Sequence, residues 1–228
     1  MAYRIALFDA DNTLLDFTRA EAEAIRICLA AHGIPTDEAT VALYSRVNDR
    51  HWKRLEQGLT TRERLKVDRF GDFLAEAGYV ADPRRMAEDY LSALSEQRFL
   101  MDGASELIRR LHGRCRLYIV TNGIAAVQRS RFGGCPLSPY FDGVFISEDM
   151  GYAKPDPRFF DRVAAAIPDF DPAEALVIGD SLTSDIQGGI RYGLDTCWFN
   201  PQGKPPPDGM AITHTVASLS EIPPILLT

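Results

Sequence analysis

The stretch Ile5-Ala6-Leu7-Phe8-Asp9-Ala10-Asp11-Asn12-Thr13 decides the fold. Four apolar residues in a row run directly into a polar loop holding two acids. A strand covered on both faces has that texture, because neither face can then be polar. Comparable runs recur at Leu117 to Val120, Val144 to Ile146 and Leu176 to Ile178, each followed by a helix-like stretch. Thr196 to Phe199 and Ile212 to Val216 extend the series. The alternation predicts an α/β core around a parallel sheet.

Between the first run and the second lies a long stretch without strand texture. Thr18-Arg19-Ala20-Glu21 fits a capping box opening a helix that can run to Gly33. A second helix follows Thr36 and ends at Gly58. A third opens near Thr60-Thr61-Arg62-Glu63, again a capping-box pattern, and stops at Gly78. Asp82-Pro83 supplies an N-cap with proline at the first helical position. About four helices, over residues 16–100, therefore interrupt a core made of 1–15 and 101–228.

The 228 residues, 46% hydrophobic and 25% charged, suffice for a buried core plus such an insertion. A net charge of −7 argues against a nucleic-acid polymer as partner, which would select a basic surface. A small phosphorylated ligand needs only local positive charge. The apolar run after Met1-Ala2-Tyr3-Arg4 is too short for a signal peptide or a membrane span, so a cytoplasmic protein is expected. Cys28, Cys115, Cys135 and Cys197 form no C-x-x-C pair and read as buried free thiols.

In open α/β sheets, ligands collect at the carboxyl ends of the strands. After Phe8 come Asp9 and Asp11, two residues apart and able to face the same side; one or two carboxylates suit a magnesium ion. After Val120 come Thr121-Asn122-Gly123, a hydroxyl and backbone N–H groups at a helix start, which suit an anion. Lys154 precedes Pro155-Asp156-Pro157, where Asp156 can cap a helix. After Ile178 come Gly179 and Asp180, with Asp185 five residues further on. The glycine permits a tight turn there. Each cluster alone is ordinary loop composition; four in this order are not.

That ordered set resembles the haloacid dehalogenase-like (HAD) hydrolase superfamily. Its D-x-D-x-T motif matches Asp9, Asp11 and Thr13; its second motif matches Thr121, its third Lys154, and its G-D-x-x-x-x-D form Gly179, Asp180 and Asp185. The resemblance implies a Rossmann-like parallel sheet with an α-helical C1-type cap inserted after the first strand. A narrower likeness to the house-cleaning pyrimidine 5′-nucleotidases runs through Thr121-Asn122-Gly123, Ile146-Ser147-Glu148, Gly188-Gly189-Ile190 and Thr196-Cys197-Trp198. Asn48, Trp52 and Gly58 keep that family's cap spacing.

The resemblance implies a Mg2+-dependent phosphomonoester hydrolase, with Asp9 as nucleophile and Asp11 as general acid and base. Thr121, the Asn122 amide and Lys154 would hold the phosphoryl oxygens. Asp9, the main-chain carbonyl of Asp11, and Asp180 would hold the metal, with Asp185 orienting Lys154 or a metal-bound water and Thr13 bracing the loop. Phe17, Asn48, Trp52 and Arg69 are candidates for contacts to the leaving group, expected to be a nucleoside monophosphate. Another small phosphometabolite, such as a sugar phosphate, or a mutase reaction fits the same core motifs. A 2-haloacid dehalogenase has no need of Asp11. A phospho-accepting receiver module is about half this length and places its aspartate after a middle strand.

Overall fold

Each apolar run is a strand in the computed structural model, which describes residues 3–227. The strands are β1 (Ile5–Phe8), β2 (Arg116–Thr121), β3 (Gly143–Ile146), β4 (Ala175–Gly179), β5 (Asp195–Phe199) and β6 (His214–Val216). They pair in parallel in the order β3-β2-β1-β4-β5-β6, an α/β Rossmann-like sheet. The last run is shorter than its apolar pattern. Ile212 and Thr213 lie outside β6, and the Thr213 hydroxyl accepts from the Thr196 backbone at 3.1 Å.

β1 occupies the middle of the sheet, and its alternation explains its composition. Ala6 and Phe8 enter one core with Leu117, Ile119, Leu176 and Ile178. Ile5 and Leu7 enter the other, with Val120, Val177, Phe159 and Phe160. Each large apolar side chain so buried is worth about 1.5–3 kcal/mol. The chain adds β2 and β3 on one side of β1, then crosses to add β4, β5 and β6 on the other. Strand order thus reverses at β1, and the crevice beyond its carboxyl end is where an open α/β sheet takes a ligand.

The core helices are α5 (Ala104–Leu111), α6 (Ala125–Gly133), α7 (Ser147–Met150), α8 (Pro157–Ala166), α9 (Gln187–Tyr192) and α10 (Ile222–Leu227). Asp156 caps α8, its carboxylate accepting from the Arg158 N–H at 3.0 Å. Two compact units result: Met1–Phe17 with Arg98–Thr228, and Thr18–Gln97. Within the first, the outgoing and returning chain segments are paired. Asp16 N donates to Phe99 O, and Met101 N to Leu14 O, each at 2.9 Å.

The second unit is helical: α1 (Phe17–Ala31, beginning at the unit boundary), α2 (Glu38–Glu56), α3 (Arg62–Ala77) and α4 (Pro83–Ser95). Tyr44, Phe70, Phe73 and Tyr90 pack as an aromatic cluster, with Tyr44 5.2 Å from both Phe70 and Tyr90 between ring centroids. Both capping-box expectations need correction. The first helix begins at Phe17, so Thr18 lies inside it. Glu21 takes its hydrogen bonds from Ser45 and Asn48 instead of reaching back. At the third helix the cap is Thr61, which accepts from Arg64 N at 3.3 Å, so Glu63 falls one place short of a box. Asp82 caps α4 as its Pro83 neighbour requires, and Gly78 ends α3 with φ of 72°.

Candidate active site

Asp9 follows β1 directly and is only 8% exposed. Its Oδ1 accepts from Lys154 Nζ at 2.8 Å, while Thr13 Oγ1 approaches Oδ2 at 3.4 Å. Lys154 is 2% exposed, and its three ammonium hydrogens have three acceptors: Asp9, Asp185 Oδ1 at 2.6 Å and Val120 O at 2.6 Å. Burial works against the ammonium, yet the Asp185 and Asp9 carboxylates hold its pKa above the usual lysine value.

Asp180 and Asp185 come together through one wide turn. Residues Leu182–Ile186 form a π-helical turn, with Ser181 at its N-cap accepting from Ser184 N at 3.2 Å. The turn swings Asp185 back over β4, where its Oδ2 accepts from Ser181 N at 3.1 Å. Gly179 is required here for a different reason from the turn expected of it. A Cβ at that position would lie 2.2 Å from Asp185 Oδ2. Trp198 on β5 donates its indole N–H to Asp180 O at 3.0 Å, which braces the start of this loop.

Thr121 ends β2, beside β1. Its Oγ1 accepts from Gly123 N at 3.1 Å and from Gln128 Nε2 at 2.8 Å. The Asn122 side chain is committed elsewhere, for it donates to Lys154 O at 2.8 Å and accepts from Lys154 N at 3.0 Å. Asp11 lies on a tight loop in which Asn12 adopts a left-handed φ of 60°. Its Oδ2 accepts from Gln128 Nε2 at 2.9 Å and its Oδ1 from the Arg131 guanidinium.

Ligand atoms of Asp9, Asp180 and Asp185 all fall within 4.8 Å of one another. Asp9 and Asp185 share the ammonium of Lys154, with Asp180 beside them, and the crowding shows in the protonation of Asp9 and Asp180. Burial, then Asp185, hold the Asp9 carboxyl well above its ordinary value. Burial, then Asp185, push Asp180 up to about 7. A hard divalent cation among oxygen donors is the complement such a cluster fits. The thiols offer no alternative chemistry. Burial foremost pushes Cys28 and Cys197 up to about 12, so neither is an available thiolate.

The candidates for leaving-group contacts are dispersed. Phe17 stacks beside Arg131, whose guanidinium carbon is 5.9 Å from the ring centroid. Asn48 and Arg69 lie inside the helical unit, with Arg69 Nη1 donating to Asn48 Oδ1 at 2.8 Å and Asn48 Nδ2 to Glu21 Oε1 at 2.5 Å. Burial holds the Glu21 carboxyl above its ordinary value even with these donors. Trp52, on α2, is half-buried. Among the described residues, Trp52 has no side-chain hydrogen bond and no stacked ring.

Gln128 and Arg131 were not singled out in the sequence, and a faint signal for them existed. On α6 they stand among the buried Val127 and Phe132, so two polar residues occupy places where apolar ones are expected.

Residues 3–193 match the family described as haloacid dehalogenase-like hydrolase. YfnB of Bacillus subtilis (strain 168), named a HAD-hydrolase, is 42% identical over 98% of this chain and 95% of its own length. The YfnB crystal structure, bound to magnesium and described as revealing interdomain movement, superimposes with a TM-score of 0.95 at 41% identity, covering both chains fully. The pyrimidine 5′-nucleotidase PynA of Streptococcus pneumoniae (strain ATCC BAA-255 / R6) is 39% identical over 88% of this chain and 85% of its own. The pyrimidine 5′-nucleotidase YjjG of Escherichia coli (strain K12) is 32% identical over 96% of both. Among the described residues no helix is long and apolar enough to cross a membrane.

Proposed function

The chain belongs to the haloacid dehalogenase-like hydrolases, and from that premise we propose that it is a magnesium-dependent phosphatase acting on pyrimidine nucleoside 5′-monophosphates. One observation carries the reading: Asp9, at the switch point of the sheet, shares Lys154 with Asp185 while Thr121 flanks it on β2. Likeness to PynA and YjjG supports the substrate class.

In the proposed reaction an Asp9 oxygen attacks phosphorus and the bond to the leaving oxygen breaks. Asp11 delivers a proton to that oxygen. Water then attacks the aspartyl-phosphate, Asp11 takes up its proton, and inorganic phosphate leaves as Asp9 is regenerated. Thr121 and the Asn122 main-chain N–H hold the phosphoryl oxygens, and Lys154 supplies positive charge to them, its bond to Asp9 being the one it would give up to reach one directly. Magnesium held by Asp9, the Asp11 carbonyl and Asp180 would offset the repulsion between an anionic nucleophile and an anionic substrate. Asp185 serves by fixing Lys154. Selection of the leaving group is assigned to the helical unit, with Trp52 and Arg69 ahead of Asn48, whose amide oxygen and nitrogen already serve Arg69 and Glu21.

The test is phosphate release from a panel of nucleoside monophosphates and sugar phosphates, with Asp9→Asn alongside. Turnover of pyrimidine monophosphates by the wild type and none by Asp9→Asn is expected. Full activity in Asp9→Asn would sink the nucleophile assignment, and preference for a sugar phosphate would replace the substrate.

A further inference from the structure

We propose that Arg131 and Gln128 are positioning residues, setting Asp11 as the proton donor and Thr121 as a hydrogen-bond donor to phosphate. The inference rests on the phosphatase reading and concerns two side chains that this reading leaves unused.

Gln128 is 1% exposed and Arg131 is fully buried. They stand three residues apart on α6, hence on one helical face. Burying an arginine costs several kcal/mol unless it is paired, so its place here demands a partner. The guanidinium pairs with Asp11 Oδ1 and also donates to Gln128 Oε1 at 3.2 Å. That second bond fixes which way the Gln128 amide faces. Its NH2 group is then directed with one hydrogen to Asp11 Oδ2 at 2.9 Å and the other to Thr121 Oγ1 at 2.8 Å. Gln128 cannot drift, because it lies against Gly123 so closely that a Cβ there would be 2.5 Å from Nε2.

Two consequences follow from counting donors and acceptors. Both Asp11 oxygens accept from this pair, so its carboxyl is held in one orientation across 117 residues of sequence. The Thr121 oxygen accepts from Gly123 and Gln128, which uses the two lone pairs a hydroxyl has. Its own hydrogen is then left to donate, as an anionic oxygen requires. Gln128 thereby couples the proton-transfer residue to the phosphate-binding hydroxyl.

A leaving-group comparison separates positioning from packing. Expulsion of a nucleoside alkoxide needs a proton, whereas 4-nitrophenolate leaves without one. Well-placed general acids contribute about 10²–10⁴-fold, so Arg131→Met should lower kcat/KM for deoxyuridine monophosphate roughly 100-fold and for 4-nitrophenyl phosphate less than about 5-fold. Arg131→Lys, which keeps the charge, should recover most of the loss. Gln128→Leu should shift the ratio in the same direction and also raise KM for both substrates. An equal loss on both substrates in Arg131→Met, or no loss on either, overturns the proposal. Should that variant fail to fold by circular dichroism, Gln128→Leu carries the ratio, and an unchanged ratio there overturns it equally. Asp11→Asn in the same assay tests the underlying reading. If Asp11→Asn separates the substrates and Arg131→Met does not, the positioning role alone fails; if Asp11→Asn does not separate them, the proton-donor assignment fails first.

Discussion

The side-chain amide of Asn122 grips the main chain of Lys154 at both ends, donating to its carbonyl at 2.8 Å and accepting from its N–H at 3.0 Å. The lysine is thus fixed through its backbone by one loop and through its ammonium by two carboxylates. Asn122→Leu keeps the volume and leaves two backbone groups of Lys154 without those partners, at a cost of about 1–3 kcal/mol each where water cannot replace them. We expect a lower melting temperature and a loss of about 10–100-fold in kcat/KM from the displaced ammonium. Wild-type kinetics in a folded Asn122→Leu protein would show the clamp to be dispensable.

Gly179→Ala should be far more damaging than a surface glycine change. The added methyl would meet the Asp185 carboxylate at 2.2 Å, and Asp185 is fully buried between Lys154 and the Ser181 N–H. Overpacking of this kind costs about 1–3 kcal/mol. Because the displaced acid orients Lys154, activity should fall further than stability does. Denaturant melts beside phosphate-release assays give both quantities. Gly113→Ala, at a positive φ but with open space around it, is a control expected to lose stability through backbone strain while keeping activity.

Metal binding should depend on pH through Asp180. Burial raises its carboxyl to about 7, so in the metal-free fold the proton is retained where an unfolded aspartate has lost it. The native state then binds more protons than the unfolded chain between the ordinary carboxylate range and about 7. Metal-free stability should therefore decline as pH rises through that interval. A cation must displace this proton, so apparent magnesium affinity should be about tenfold weaker at pH 6 than at pH 8. Calorimetric titration at the two pH values reads this directly, and the thermal shift on adding magnesium should be larger at pH 8. Equal affinities would remove Asp180 from the ligand set or place its proton elsewhere.

Excess chelator should abolish phosphate release, and magnesium should restore it. Calcium should restore it poorly, since it accepts bidentate carboxylates that would occupy the attacking oxygen of Asp9. Undiminished turnover in chelator would reopen a metal-free reaction such as dehalogenation.

Trp52→Ala addresses the leaving group. Stacking of a base on an aromatic ring is worth about 1–3 kcal/mol, so kcat/KM for deoxyuridine monophosphate should drop one to two decades. Comparison with deoxyadenosine monophosphate checks whether the wild type favours pyrimidines at all. An undiminished rate in the mutant would return Trp52 to packing within the helical unit.

The sequence by itself determined the strands, the order of the four loops and most helix ends. These are local matters: an apolar run such as Ile5–Phe8 needs only neighbours on both faces, and Asp82-Pro83 or Gly78 acts within a turn of its own helix. It also placed Asp9, Lys154, Asp180 and Asp185 in sequence, but not their partners. Tertiary structure alone decided that Lys154 bridges Asp9 and Asp185, 145 and 31 residues away, and that Asn122 grips a backbone instead of pointing its side chain at a ligand. It reassigned Glu21 from a helix cap to a buried network with Ser45 and Asn48, and Gly179 from a turn to a close contact. It brought in Gln128 and Arg131, polar residues on the buried side of α6 whose acceptor, Asp11, lies more than a hundred residues earlier in the chain. The reason is common to all of these. A hydrogen-bond donor's identity is written in the chain, whereas its acceptor is chosen by which loops the sheet brings side by side.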